Sequence, residues 1–420
     1  MSGGGTSLTG EQVYRRFLAL TALRWLPTGL LMPVMVLLAL ERGLSLSQLG
    51  LAAAVQGLVV VALELPTGGL ADSLGRRRLL LVGKTINLAA LLVLLVADSV
   101  TGFVVFFALQ GLYRALDSGP LEAWYVDTAR ALDPRTSLAR GMGAQGAVLA
   151  VAIAVGSAGA GLLVAWDPVP GADALVVPVV LAAVLQAGAL LATALLMVEA
   201  PRSAGLGFRR QLAATPGTVR AGFALVRGDR VLFALLAVEL FWGFGMATFE
   251  SLTPVRLAEV VGDERQAAAI LGPALTGVWI ASALGSALTP RLCDRWGVAP
   301  TAALMRVLQG LAVLGMGVAA GVVGLLTAFL ACYAVHGLSN AAHVSLLHEQ
   351  ATDDVRATVL SLNSMVAQPA GAVGMVALTA LADSTSVSLA MCVGAVVLAL
   401  AAPLYLPAWR AERRRVEVGA

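Results

Sequence analysis

The chain has 420 residues, 59% of them hydrophobic and only 13% charged, and its mean hydropathy is +0.86. Soluble domains carry roughly 25% charged residues, so this composition excludes a water-soluble globule. The formal net charge of +3 comes with no basic stretch interleaved with aromatics, which excludes a nucleic-acid groove.

A chain with a bilayer for solvent must satisfy its backbone internally, as helices or a closed barrel. The apolar runs here are continuous and about twenty residues long, which predicts helices. Twelve follow one another, at 17–40, 46–67, 79–97, 101–124, 142–166, 174–198, 230–254, 268–290, 300–320, 322–345, 358–382 and 386–408. The expected fold class is an all-α membrane protein with twelve transmembrane helices.

The first span is too long for a cleaved signal peptide, and no small-residue cleavage site follows it. It carries Arg24, with Thr21 and Thr28 at i−3 and i+4. Arg24 lies roughly 13 Å along a helix from Arg15 and Arg16, too deep to reach water easily. It is expected to line an internal path, with a purely structural ion pair as the alternative.

Between the second and third spans runs GGLADSLGRRRLL, residues 68–80. Gly68, Gly69 and Gly75 allow a tight turn. Asp72 stands where the third helix could begin, so its carboxylate can meet unpaired N–H groups. Arg76, Arg77 and Arg78 hold the loop at one membrane face.

The fourth span carries Arg114, Asp117 and Glu122. Arg114 and Asp117 are one turn apart and could neutralise each other. Pro120 should bend or break this helix, and Asp127 lies at its end. In the fifth span Gly156, Ser157, Gly159 and Gly161 permit close helix contact. Residues 199–229 contain no spanning run, but hold Pro201, Pro216 and several arginines. They are expected to form a cytoplasmic linker, partly helical along the membrane surface, between an N-terminal bundle (1–198) and a C-terminal bundle (230–420).

In the seventh span Glu239, Trp242, Met246 and Phe249 or Glu250 recur at helical spacing. The aromatics and methionine suit either core packing or an adaptable apolar pocket beside a carboxylate. Glu239 has no basic residue within a turn on its own helix, and its neighbours are Leu, Phe, Trp and Val. It is the expected carrier of a coupling proton, with a permanent pair to Arg24 as the alternative. In the tenth span His336, Asn340 and His343 share one face and predict a polar stripe along the path. The spacing of His343 and His348 does not suit a metal. Cys293, Cys332 and Cys392 form neither a disulfide framework nor a metal spacing.

Charge at mid-bilayer costs roughly 2.5–3.5 kcal/mol on insertion scales. The deep charges and the histidine fall on every third helix: Arg24 on the first, Arg114, Asp117 and Glu122 on the fourth, Glu239 on the seventh, His336 on the tenth. Of the 28 basic residues, Arg42, Arg256 and Arg265 fall in loops on one side. Apart from Arg24 and Arg114, all the rest, Lys84 and Arg306 included, are assigned to the side of the termini. That bias predicts cytoplasmic termini. No phosphate-binding GxxxxGK[ST] or GxSxG elbow is present. No enzyme, cofactor or metal is therefore expected, and ATP-driven pumping is excluded.

Gly68, Leu70, Ala71, Asp72, Gly75, Arg76, Arg77 and Leu80 together resemble the signature loop of the major facilitator superfamily, with Ser73 where the family usually has a basic residue. A weaker echo, LCDRWG at 292–297, aligns Asp294 with Asp72 at an offset of 222 and has Val298 and Ala299 in place of the two basic residues. The resemblance implies two six-helix bundles with the first, fourth, seventh and tenth helices lining the central path. It also implies that Arg77 latches onto Asp127 as a gate element. Many efflux-type members carry an arginine where Arg114 stands, and the fifth span loosely resembles the family's antiporter motif without its Gly-Pro.

The implied function is secondary active transport at the cell membrane: proton-coupled export of small amphipathic drugs or metabolites. Its partners would be a small-molecule substrate, protons and the lipid bilayer, with the chain a monomer. One alternative is an importer of a polar or anionic solute that Arg24 and Arg114 contact. Another is a membrane sensor or scaffold that moves nothing.

Overall fold

Thr9 starts the first helix by a capping box: its hydroxyl accepts from the Gln12 N–H, and the Gln12 side chain accepts from the Thr9 N–H. In the computed structural model, which describes residues 8–169, 171–199, 226–350 and 356–419, every element is helical. The side chains of 64–73, 356–358, 360, 361 and 416–419 lie outside the described set, as does most of the expected linker.

Among the described residues, twelve helices are long and apolar enough to span a membrane. They are α1 (Gly10–Glu41), α2 (Leu46–Leu74), α3 (Arg76–Val96), α4 (Val100–Leu132), α5 (Leu138–Trp166), α6 (Val176–Leu196), α7 (Arg230–Val261), α8 (Glu264–Trp296), α9 (Val298–Val318), α10 (Val322–Gln350), α11 (Arg356–Ser384) and α12 (Val387–Arg415). Several run a turn or more past the apolar run that announced them, because helix continues into polar residues where the bilayer ends.

Among the described residues four helices are interrupted, α12 by a 3-10 turn at Ala402–Tyr405 that contains Pro403. α1 loses its ladder at residues 32–34, around Pro33. α4 breaks at Ser118 and Gly119, where Gly119 has φ +91° and Pro120 starts the next helical segment; this is the interruption expected at Pro120. α7 passes through a π-helical stretch at Thr248–Leu252, just before Pro254. There the Thr253 hydroxyl donates to the Thr248 and Phe249 carbonyls, meeting acceptors that the proline cannot.

The turn between α2 and α3 differs from the sequence expectation. α2 continues through Leu74, so Gly68 and Asp72 lie within its last turns, and Gly75 alone makes the turn, at φ +86°. Asp72 does not begin α3. Instead the Glu199 carboxylate, beyond the end of α6, accepts from the backbone N–H groups of Arg76 and Arg77 at 3.0 and 3.2 Å. The second half repeats this device. Gly297 turns at φ +90°, and Glu412 in α12 accepts from the N–H groups of Val298 and Ala299 at 2.8 and 3.3 Å. Each carboxylate thus meets the unpaired donors and positive end of a third helix.

The two bundles, α1–α6 and α7–α12, meet along α5 with α8 and α2 with α11. Glycine permits the first crossing: a Cβ on Gly161 would lie 2.8 Å from the Ala269 carbonyl oxygen. Gly156 serves a different contact, against α1 at Leu26 and Gly29, and Gly159 has open space beside it. On the side away from the termini, one apolar core joins both bundles through Leu37, Phe103, Phe249, Leu271 and Phe329 among others. Asp383 of α11 also caps α2 there, accepting from Leu46 and Ser47 at 3.1 and 2.7 Å, and Arg265 pairs with Glu41 at 3.1 Å. On the terminal side the bundles keep separate cores. A cleft between them therefore opens toward the termini.

A cleft between two buried polar clusters

At mid-depth the cleft is lined by side chains from both bundles. Arg114 of α4, Glu250 of α7 and Asn340 of α10 are exposed there. Glu250 sits in the π-helical stretch, within electrostatic range of Arg114 across the cleft. Trp242 stacks on the His336 ring, centroids 5.7 Å apart and planes 11° apart. Phe249 and Tyr333 pack against the same imidazole at 5.9 and 6.1 Å. Phe249 and Tyr333 are themselves buried, so the part-buried Trp242 and His336 form the face of this aromatic wall, with a cation and a carboxylate at its margin.

Behind the N-terminal wall lies the first cluster. Arg24 meets Asp117 at 2.5 Å and Glu122 at 3.2 Å, and the Gln145 amide also donates to Glu122. The Arg24 guanidinium lies 5.2 Å from the Trp25 ring centroid, a cation–π contact. Sequence spacing left Asp117 open to Arg114 and Arg24 open to Glu239. The structure forms neither pair. The break at Gly119 lets Asp117 and Glu122 converge on one arginine, while Arg114 is left to the cleft.

Behind the C-terminal wall lies the second cluster. Glu239 of α7 is buried, with its Oε1 3.2 Å from His343 Nε2. The same nitrogen is 3.4 Å from Asn363 Oδ1 of α11. Two acceptors at one nitrogen place a hydrogen on Nε2. His343 Nδ1 lies 2.9 Å from the Tyr405 hydroxyl of α12, and the Arg306 guanidinium of α9 lies beside that hydroxyl. Arg306 donates to Gln309 at 3.0 Å, and Gln309 Nε2 is 3.4 Å from His336 Nδ1. The polar stripe expected on α10 therefore divides. Asn340 and His336 meet the cleft, and His343 turns into the bundle.

Sequence reasoning also misplaced two cations. Lys84 and Arg306, assigned as anchors on the terminal side, are buried inside their bundles at 2% and 1% exposure. Each lies eight residues into its helix, roughly 12 Å at the helical rise, so the depth argument applied to Arg24 would have found both. They are also 222 residues apart, the spacing of Asp72 and Asp294, and each has an amide three residues on, Asn87 and Gln309.

At the terminal face, Asp127 is paired with Arg76, at 2.6 Å. The expected latch from Arg77 is not the pair found. Arg77 lies one residue further round α3, and its guanidinium donates to the Ala194 carbonyl at the end of α6. The side chain of Asp72 lies outside the described residues. Among the described residues no group of three or more His, Cys, Asp or Glu is placed to hold a metal, and the three cysteines are free.

Residues 17–375 match the family model described as Major Facilitator Superfamily. Among solved structures, the chain is similar to a point mutant of the nucleoside transporter NupG, with a TM-score of 0.77 and 14% identity over 94% of this chain and 100% of that one. It is similar to a bacterial homolog of the human lysosomal transporter Spinster, inward-facing and unoccupied, with a TM-score of 0.72 and 15% identity over 96% and 97%. It also resembles the human organic anion transporter MFSD10, with a TM-score of 0.60 and 17% identity over 95% and 100%. At these identities the likeness shows the fold. A search of curated protein sequences found no match.

Proposed function

The chain belongs to the major facilitator superfamily, a family of transporters, and from that premise we propose that it is a proton-coupled secondary transporter exporting small amphipathic molecules. It would work at the cell membrane, as a monomer with cytoplasmic termini, moving substrate through the cleft between the bundles.

One observation carries the proton reading: a buried carboxyl, Glu239, stands against an imidazole rather than a guanidinium. Asp117 and Glu122 share the permanent charge of Arg24. Glu239 has a partner that can itself give or take a proton, which suits an acid that changes state during a cycle. The Trp242–His336 stack, backed by the buried Phe249 and Tyr333 and bordered by Asn340 and Glu250, suits a flat apolar ligand with a polar end. Arg76 with Asp127, near the turn at Gly75, would act as a gate element at the terminal face, with Gly68, Asp72 and Arg77 on the adjoining turns.

The test is flux in proteoliposomes with and without a pH gradient. Glu239→Gln is expected to keep downhill substrate movement and to lose accumulation driven by the gradient. Wild-type accumulation by that variant would sink the assignment. A second reading has its own support: Arg114 is exposed in the cleft and makes no ion pair among the described residues, which suits an importer of an anionic solute. Uptake of labelled organic anions that survives an uncoupler and is abolished by Arg114→Ala would favour that reading over export.

A further inference from the structure

The coupling acid proposed above does not face the cleft. It is sealed inside the C-terminal bundle, while the aromatic wall lies on the bundle's inner surface. A substrate that never touches Glu239 cannot compete with its proton directly, so a physical connection is required.

We infer that Arg306 is a positioning residue that couples the protonation state of Glu239 to the Trp242–His336 stack, through a hydrogen-bonded chain running behind the wall. Its links are Glu239 to His343 at 3.2 Å, His343 to Tyr405 at 2.9 Å, Arg306 to Gln309 at 3.0 Å, and Gln309 to His336 at 3.4 Å, with Tyr405 and Arg306 side by side at the join. It draws on α7, α10, α12 and α9, so it crosses the bundle.

Among the described residues the groups facing Glu239 are few. α10 contributes His343, α12 contributes Tyr405, α9 contributes Arg306, and α11 contributes the neutral Asn363. Arg306 is the one permanent charge among them. When Glu239 is ionised, Arg306 lies in the field of a carboxylate. When Glu239 gains a proton that field disappears, and the buried guanidinium must be stabilised by Tyr405 and Gln309 instead. Gln309 holds His336, so the change arrives at the ring stacked on Trp242. A ligand that displaces this stack sends the same change backward, because coupling between two sites is reciprocal.

The inference rests on the proton reading of Glu239, and the experiment separates the two. Purified full-length protein is titrated between about pH 5 and 8, and the emission of Trp242 is isolated by subtracting a Trp242→Phe variant. The pH-dependent change in Trp242 emission is expected to vanish in Glu239→Gln and in Arg306→Gln, and to return in Arg306→Lys, the residue type that the first half carries at Lys84. Persistence of the change in Arg306→Gln overturns the relay, as does its absence from the wild type. Persistence in Glu239→Gln also overturns it, since His336 then titrates on its own. If Arg306→Gln does not fold, Tyr405→Phe breaks the same chain between His343 and Arg306 and is expected to abolish the change. Loss of gradient-driven flux in Glu239→Gln together with an unchanged Trp242 response in Arg306→Gln removes the relay and leaves the proton reading standing. Wild-type flux in Glu239→Gln removes the proton reading itself.

Discussion

The two bundles hold their buried charge in opposite ways. In the first, one arginine meets two carboxylates directly, Arg24 with Asp117 and Glu122. In the second, one carboxylate and one arginine are held apart, with a histidine and a tyrosine between them. The third helix of each half starts from the same plan, a buried cation followed by an amide at Lys84/Asn87 and Arg306/Gln309. The difference lies in what surrounds that cation. A salt-bridged cluster is stiff, because removing its arginine leaves both carboxylates uncompensated. A chain of hydroxyl, imidazole and amide can change partners at little cost. On the proposed function, one half would serve as the fixed wall and the other as the half that switches.

The largest expected effect breaks the stiff half. Arg24→Ala strands Asp117 and Glu122, and removing one partner from a buried pair typically costs about 3–5 kcal/mol. A marked fall in the melting temperature is expected, with partial recovery on adding Asp117→Asn. If Arg24→Ala melts like the wild type, the cluster is not a structural anchor.

Glu239→Gln tests the other side of the comparison. The amide keeps the shape and removes the charge, so the expected stability change is within about 1 kcal/mol, although the pH-gradient dependence of transport is lost. A melting shift as large as that of Arg24→Ala would show that both halves are equally rigid.

Gly161→Leu forces a side chain against the Ala269 carbonyl at the α5–α8 crossing. Overpacking costs typically about 1–3 kcal/mol. Because the crossing joins the bundles, the expected signature is a shift toward the conformation that separates them. It should be read as faster labelling of a cysteine placed on the side away from the termini.

How far the sequence carries this comparison depends on the residue. The loop at 68–80 and the count of twelve spans come straight from composition and pattern, and the cost of burying charge marks α1, α4, α7 and α10. Pairing is another matter. Asp117 has an arginine one turn away in sequence, yet its partner comes from α1, because the break at Gly119 reorients the chain. His343 shares a face with His336, but two turns place it roughly 10.5 Å nearer the terminal end of α10, where α7 and α12 close over it. Lys84 and Arg306 escaped notice because a basic residue a few turns from a polar loop passes for an anchor. Their burial is set by neighbouring helices whose order the sequence does not disclose.

The smallest expected effect is at the terminal face. Arg76 and Asp127 form a pair whose acid is about half exposed, and such pairs contribute roughly 0–1 kcal/mol. Arg76→Ala is expected to leave folding and substrate affinity nearly unchanged while altering the transport rate. Arg77→Ala, which frees the Ala194 carbonyl, should instead loosen the end of α6. Equal effects of the two variants on rate would remove the distinction drawn here between latch and clasp.

Glu199 and Glu412 each tie the last helix of a bundle to the start of its third. Glu199 is the first residue of the segment expected to join the bundles and Glu412 belongs to α12, so each half is fastened by a residue at or just beyond the end of its last helix. A chain severed between residues 199 and 226 would give two polypeptides, each with its clasp intact. Co-expressed from separate genes, they are expected to find each other along α5–α8 and α2–α11 and to reconstitute the transporter. Cutting just before Glu199 instead would leave the first fragment unfastened.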